Sequence, residues 1–278
     1  MVSLDTLQVR KLIRQALAED IGTGDLTTNA LISPEQQLSA IYNTREDGII
    51  AGLPILSLIF RELDPQINVK LLVNDGDRIE KGQQLAVVSG NARAILTGER
   101  LSLNFIQKMS AIATLTDKFQ QAIRPYKAVI CDTRKSCPNF RIFEKYSVGI
   151  GGGKPHRMGL YDAVMIKDNH ICAAGSIEKA VKAARKAVPH AITIEVETEN
   201  IAQVQEALFA DADIIMLDNM PVAMMKEAVQ LINGRAITEA SGTVSLENVN
   251  VIASTGVDYI STSAITAKAG ILDIGLDM

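Results

Sequence analysis

Tryptophan is absent from this 278-residue chain, and aromatic residues make up only 4% of it. A base-stacking platform for single-stranded nucleic acid is therefore not expected. The formal net charge of −4 argues against any general affinity for nucleic acid. Cysteine is scarce as well. Cys131, Cys137 and Cys172 are odd in number and lack framework spacing, so they read as reduced thiols in a cytoplasm. A structural zinc site is not expected at His170 and Cys172, because such sites use paired ligands at recognisable spacing. Long hydrophobic runs are missing too. The stretch 49–60 is broken by Gly52 and Pro54 and falls short of a membrane span. The N-terminus carries Asp5, Glu19 and Asp20, where a signal peptide needs a basic segment followed by an apolar one. A cytoplasmic protein free of the membrane is the expectation.

What is present fits an enzyme. Hydrophobic residues form 47% and charged residues 22%, and the length suits a barrel with an added domain. Over residues 5–19, Leu12, Ile13, Ala16 and Leu17 recur at helical spacing and Gly22 and Gly24 end the pattern. Residues 38–90 read as short strands between Gly, Asp and Asn turns. A long helical pattern follows from 92 to 122, and Pro125 stops it. Beyond it, β-branched runs stand at 129–133, 164–167, 192–197, 214–218, 237–239 and 258–261. Amphipathic helices are predicted over 176–187, 200–210, 222–232 and 245–253. From the third run the unit recurs about every 22 residues, the length of a strand and a short helix in a β/α barrel.

Each run finishes in polar or charged residues: Asp132, Arg134 and Lys135; Lys167 and Asp168; Glu195 and Glu197; Asp218; Glu239; Ser261. The C-terminal ends of barrel strands carry the active site, and wet loops alone do not explain charges inside runs such as IEVE and IIMLD. Segment 134–167 holds seven Lys/Arg against two acids. An acidic protein that concentrates cations at strand ends is suited to a small polyanion, and arginine forks match planar carboxylates and phosphates. Glu197 and Asp218 end neighbouring runs; they can serve Mg²⁺ beside substrate phosphates or pair with the lysines. Ser241-Gly242-Thr243 and Ser261-Thr262-Ser263 follow the last runs, where barrel loops bind phosphate through backbone N–H groups. The segment GIGGGK (149–154) only imitates a P-loop, since Pro155 stands where Ser or Thr is required.

The block 132–171, with its TRK, HRMGL and KDNH motifs, is similar to the central block of quinolinate phosphoribosyltransferases, the carboxylating nicotinate-nucleotide pyrophosphorylases. The likeness extends to LAEDIGTGDLTT (17–28), LTGERLSLNFIQKMSAIAT (96–114), IEVET (194–198), IIMLDNM (214–220), EASGTV (239–244) and GVDYIS (256–261). It implies an α/β fold: an N-terminal α/β sandwich over 1–114 and an incomplete, seven-stranded β/α barrel over 115–278, with the last residues free to pack back on the first domain. It implies a pentosyltransferase that converts quinolinate and phosphoribosyl pyrophosphate to nicotinate mononucleotide, pyrophosphate and carbon dioxide in de novo NAD biosynthesis. Arg134, His156, Arg157 and Lys167 would hold the two carboxylates of quinolinate, and Lys135 would meet both substrates. Glu197 and Asp218 would serve the ribose hydroxyls and Mg²⁺. Residues 241–243 and 261–263 would bind phosphate. Arg100 would complete the site from a neighbouring subunit of a homodimer with shared active sites, or of a higher oligomer.

Two positions depart from the family pattern. Pro155 precedes His156 where many members have Asn, and Ser263 replaces a usual Gly. A Pro at the first position also occurs in a paralogous group linked to molybdenum-transport operons, which gives the alternative identity: a related enzyme acting on another acid. A Schiff-base aldolase using Lys135 or Lys167 is a more distant rival. A regulatory protein that binds phosphoribosyl pyrophosphate without turnover is another.

Overall fold

The computed structural model describes residues 2–278. From the N-terminus the elements are α1 (Leu7–Ile21), α2 (Leu26–Leu31), β1 (Gln37–Thr44), β2 (Gly48–Ile49), α3 (Leu53–Leu63), β3 (Asn68–Leu71), β4 (Arg78–Ile79), β5 (Gln84–Asn91) and α4 (Ala92–Ala122). There follow β6 (Val129–Cys131), α5 (Arg141–Ile150), β7 (Val164–Ile166), α6 (Asp168–Ala174), α7 (Ile177–Ala187), β8 (Ile194–Thr198) and α8 (Ile201–Phe209). The chain ends with β9 (Ile214–Asp218), α9 (Val222–Ile232), β10 (Ile237–Ser241), α10 (Val249–Ala253), β11 (Tyr259–Ser261), α11 (Ala264–Ala267) and β12 (Ile274–Asp277). No helix among the described residues is long and apolar enough to cross a membrane.

These elements form two compact units. One gathers the chain up to Asp117 together with Cys137–Gly152 and Ala267–Met278; the other holds Lys118–Ser136 and Gly153–Thr266. The chain thus leaves the first unit inside α4, returns to it for α5, and returns again for its last residues.

The first unit is built on an antiparallel sheet of order β12-β1-β5-β3. Its buried side chains include Tyr42, Leu53, Leu56, Phe60, Leu85, Val88 and Ile106. On α1, Val9, Ile13 and Leu17 face inward at i, i+4 spacing; Thr6 caps the start and Gly22, at φ +53°, ends the helix. The strand reading of 38–90 needs one correction, since α3 lies within it. Pro54 occupies the first turn of that helix, where a fixed φ is favourable and the missing N–H costs nothing. A remote residue supplies the cap: the Asp75 carboxylate accepts the N–H groups of Gly52 and Leu53 and the Tyr146 hydroxyl. The long helix α4 stops at Ala122, ahead of Pro125.

The second unit is a parallel sheet of six strands in the order β6-β11-β10-β9-β8-β7, one for each β-branched run. Where a seventh strand would lie, Lys154 makes a single parallel bridge beside Cys131. Gly151, Gly152, Gly153 and Pro155 surround Lys154, and such residues weaken a strand. The helices that return the chain begin at caps the sequence supplies, Ser176 for α7 and Asn200 for α8. Helix α10 starts at Val249 rather than 245 because Asn248 is spent on the preceding loop, accepting from Ser245 N–H and donating to the Thr243 carbonyl.

Candidate active site

Parallel strands point their C-terminal ends one way, and within the second unit a cavity of about 560 Å³ lies at those ends. It is lined by Arg134 and Lys135 after β6, Lys167 after β7, Glu197 of β8, Asp218 of β9, Ser241 of β10 and Ser261 of β11. His156, Arg157, Gly242, Thr243, Thr262 and Ser263 complete the set expected from sequence. Side chains two apart on a strand share a face, which is how Glu239 joins Ser241, and Met216 joins Asp218, in the lining. Arg100, exposed on α4, belongs to the first unit.

The cationic part of the cavity is prepared for an anion. The Arg157 guanidinium donates to the Ala163 carbonyl at 2.9 Å and lies beside the Met165 sulfur. Burial, followed by repulsion from Arg134, lowers its pKa. An arginine under such pressure is relieved by a bound carboxylate or phosphate. Asp162 shapes the loop that carries it by accepting the N–H groups of Met158 and Gly159. Lys167 is ion-paired with Glu197 at 2.5 Å, so of the two partners open to Glu197 in the sequence it is the lysine that holds it here. His170 closes the turn into α6, its Nδ1 accepting the Lys167 N–H at 3.0 Å. That explains the last letter of the KDNH motif by structure alone.

His156 is engaged at every polar atom of its ring. Nε2 lies 3.3 Å from Glu195 and 3.4 Å from Glu239, while Nδ1 accepts the Arg157 N–H at 2.7 Å. Burial opposes an imidazolium, but the two glutamates outweigh it and raise the pKa to about 10. The Nδ1 contact works against that second proton, because an N–H aimed at Nδ1 needs the lone pair a proton would take.

The loop after β10 depends on two residues acting together. Gly242 has φ +123°, and a Cβ there would come within 2.3 Å of the Asn219 side-chain oxygen. Asn219, itself at φ +51°, accepts the Thr243 N–H and donates to Asp218. One asparagine therefore ties the candidate phosphate loop to a candidate catalytic carboxylate. In the next loop the Thr262 N–H donates to the Cys131 carbonyl, and the buried Ser261 hydroxyl has no partner within the protein. An orphaned buried hydroxyl facing a cavity is available to a ligand oxygen. Asn219, Glu195 and Glu239 are the residues the sequence reading did not assign. Their signal was visible as alternation along the strands and as the residue next to Asp218, but nothing in a sequence tells which loop an asparagine will brace.

Known proteins supply an independent line. Residues 25–110 match the family model for the N-terminal domain of quinolinate phosphoribosyl transferase, and residues 112–277 match that for its C-terminal domain. A mitochondrial quinolinate phosphoribosyltransferase [decarboxylating] of Nicotiana tabacum is 47% identical, over 98% of this chain and 82% of that protein. A probable nicotinate-nucleotide pyrophosphorylase [carboxylating] of Synechocystis is 45% identical, over 96% of this chain and 91% of the other. The crystal structure of NadC from Streptococcus pyogenes superposes with a TM-score of 0.96 at 37% identity, covering 100% of this chain and 98% of that one. With both domain models matched and the cavity where a barrel keeps its chemistry, the chain belongs to the quinolinate phosphoribosyltransferase family.

Proposed function

We propose that this chain transfers the phosphoribosyl group of phosphoribosyl pyrophosphate to the ring nitrogen of quinolinate, yielding nicotinate mononucleotide, pyrophosphate and carbon dioxide for NAD biosynthesis. The observation that carries the reading is that one cavity holds two kinds of chemistry. In strand order, Lys167 follows β7, Glu197 and Asp218 end β8 and β9, and the hydroxyl-bearing loops follow β10 and β11. Arg134 and Arg157 have the planar fork that suits a carboxylate, with Lys167 as a further point charge. Lys135, on the same cavity wall, is suited to meet both substrates, and the two loops offer backbone N–H groups to phosphate.

Quinolinate entering this clamp takes Lys167 from Glu197, which leaves that carboxylate to the ribose together with Asp218. Two carboxylates on neighbouring strands, opening on a cavity that would also hold substrate oxygens, fit the hard-oxygen preference of Mg²⁺. Mg²⁺ bound there would supply neutralising charge to the departing pyrophosphate. Glu197 and Asp218 also face the positive charge that develops at C1 of the ribose as the bond breaks. The arginine clamp holds the ring nitrogen in line for attack. Loss of the 2-carboxylate as carbon dioxide then leaves the bonding pair on the ring carbon, an anion stabilised by the adjacent pyridinium until it takes a proton from water to give the mononucleotide. The active species in this reading is a homodimer, with Arg100 of one copy completing the site of the other.

The test is direct. Purified protein given quinolinate, phosphoribosyl pyrophosphate and Mg²⁺ should release pyrophosphate and carbon dioxide in equal amounts. Nicotinate should be a far poorer acceptor, because a missing carboxylate leaves a desolvated cation unpaired. Comparable efficiency on nicotinate, or borohydride trapping of a keto acid on a lysine, would overturn the assignment.

A further inference from the structure

Sheet order puts β11 between β6 and β10, so the loop after β11 is flanked by the loop that carries Lys135 and by the loop that carries Gly242. The backbone pairing of β11 ends at Ser261 with β6 and at Ile260 with β10. One further rung, from the Thr262 N–H to the Cys131 carbonyl, closes the ladder at 3.0 Å. Beyond it, side-chain hydroxyls take over. Thr262 Oγ1 accepts the Ala264 N–H at 3.1 Å and donates to the Val244 carbonyl at 3.4 Å. Thr266 Oγ1 shares its proton between the Ser263 carbonyl at 3.1 Å and the Lys135 carbonyl at 3.3 Å. Both threonines are buried, at 4% and 2% exposure.

We propose that Thr262 and Thr266 are positioning residues: from the loop after β11, Thr262 holds the Ser241–Thr243 loop and Thr266 holds the loop that carries Lys135. A buried hydroxyl is costly unless its proton is used, and each of these reaches a carbonyl of a neighbouring loop. Threonine suits the task because its branched Cβ restricts χ1, and in Thr266 the bond to the carbonyl three residues back selects the rotamer. With that rotamer set, the same hydroxyl meets Lys135. The Lys135 N–H is held in turn by the Thr133 hydroxyl at 3.0 Å, so both backbone polar groups of this lysine are anchored while its side chain lines the cavity. On the other side, the Val244 N–H donates to the Gly242 carbonyl at 2.9 Å, so the residue that Thr262 grips also braces Gly242. Thr266 is absent from the cavity lining and acts on a ligand only through the loops it joins. Thr262 lines the cavity, but its N–H and its hydroxyl proton are both used inside the protein.

This role rests on the proposed reaction only where turnover is read, so it is tested both with turnover and without. In calorimetric titrations with inorganic pyrophosphate and Mg²⁺, T262V and T266V should each weaken binding by about tenfold, the upper scale of a lost neutral hydrogen bond. Valine keeps the shape and removes the hydroxyl; T262S and T266S, which keep the hydroxyl, should recover most of the loss. In a K135A background T266V should weaken binding little further, because it acts through Lys135, whereas T262V should keep its full effect there. With substrates, T266V should raise the KM of both quinolinate and phosphoribosyl pyrophosphate, since Lys135 meets both, and T262V should raise only the second. Unchanged pyrophosphate binding in folded valine variants overturns the proposal. Serine variants as weak as the valine ones also overturn it, since methyl packing would then be the cause, as does a T266V effect that persists in full in K135A. Valine variants that fail to fold overturn it too, because the hydroxyls would then serve the fold as a whole. A wild type that binds pyrophosphate but turns over no quinolinate refutes the proposed reaction instead, and the titrations still decide the role of the threonines. A wild type that binds no pyrophosphate overturns both.

Discussion

The carboxylates of Glu197 and Asp218 stand at strand ends, where they contribute to ligand chemistry far more than to the core. Glu197→Ala and Asp218→Ala are expected to lower the rate of pyrophosphate release by about a hundredfold, the scale of one lost electrostatic contact in a transition state. Both should also raise the Mg²⁺ concentration needed for half-maximal rate. Their melting temperatures should stay near wild type; normal rate and metal dependence in both variants would remove them from the mechanism. Gly242 is constrained in a different way. Its positive φ and the 2.3 Å approach of Asn219 leave no room for a Cβ, so Gly242→Ala should cost about 1–3 kcal/mol of local strain. Because Asn219 also touches Asp218, the strain should appear as a raised KM for phosphoribosyl pyrophosphate with the quinolinate KM little changed. Equal effects on both substrates would mean that the loop does not serve the phosphate end alone.

At the scale of elements, the second unit holds its strands in register with carboxylates at their N-terminal ends as well as at their C-terminal ends. Asp258, just before β11, accepts from the Thr238 N–H and hydroxyl at the start of β10, and pairs with Lys127 ahead of β6 at 2.7 Å. Burial would raise its pKa, but Lys127 and Thr238 outweigh it and hold the carboxyl below its ordinary value. A folded pKa below the unfolded value, near 3.9 for aspartate, means that Asp258 stabilises the fold above that pH. The contribution fades as pH falls through the folded pKa. Asp258→Asn should therefore lower the melting temperature at pH 7, with the difference from wild type shrinking at acid pH below about 3.9. A difference that stays constant down to pH 2.5 would show that charge at this position is irrelevant. The strands were legible in the sequence because each is a β-branched run without proline. Helix α3 was not, because its apolar run is short enough for either period and its cap, Asp75, lies some twenty residues downstream.

At the scale of the whole molecule, the proposed homodimer makes a quantitative prediction. Arg100→Ala and Arg157→Ala should each be nearly inactive alone. In a mixed dimer one site combines an intact barrel with an intact Arg100, and the other site carries both defects. Random re-pairing of equal amounts makes half the dimers mixed, each with one good site of two, so activity should return to about a quarter of wild type in a symmetric dimer. Mixed dimers that form without regaining activity would confine Arg100 to its own chain. The sequence by itself determined the strand runs, the polar residues at their ends and the family motifs, because alternation and composition are local properties of a chain. Thirteen of the fourteen residues selected that way line one cavity, Arg100 alone lying elsewhere. Only the tertiary structure decided what those residues do to one another. Glu197 pairs with Lys167, Asn219 braces Gly242, and Glu195 and Glu239 share His156, although each partner lies more than twenty residues away in sequence. Sheet order brings such pairs together, and that order is fixed by which strands hydrogen-bond side by side, a choice that no local pattern records.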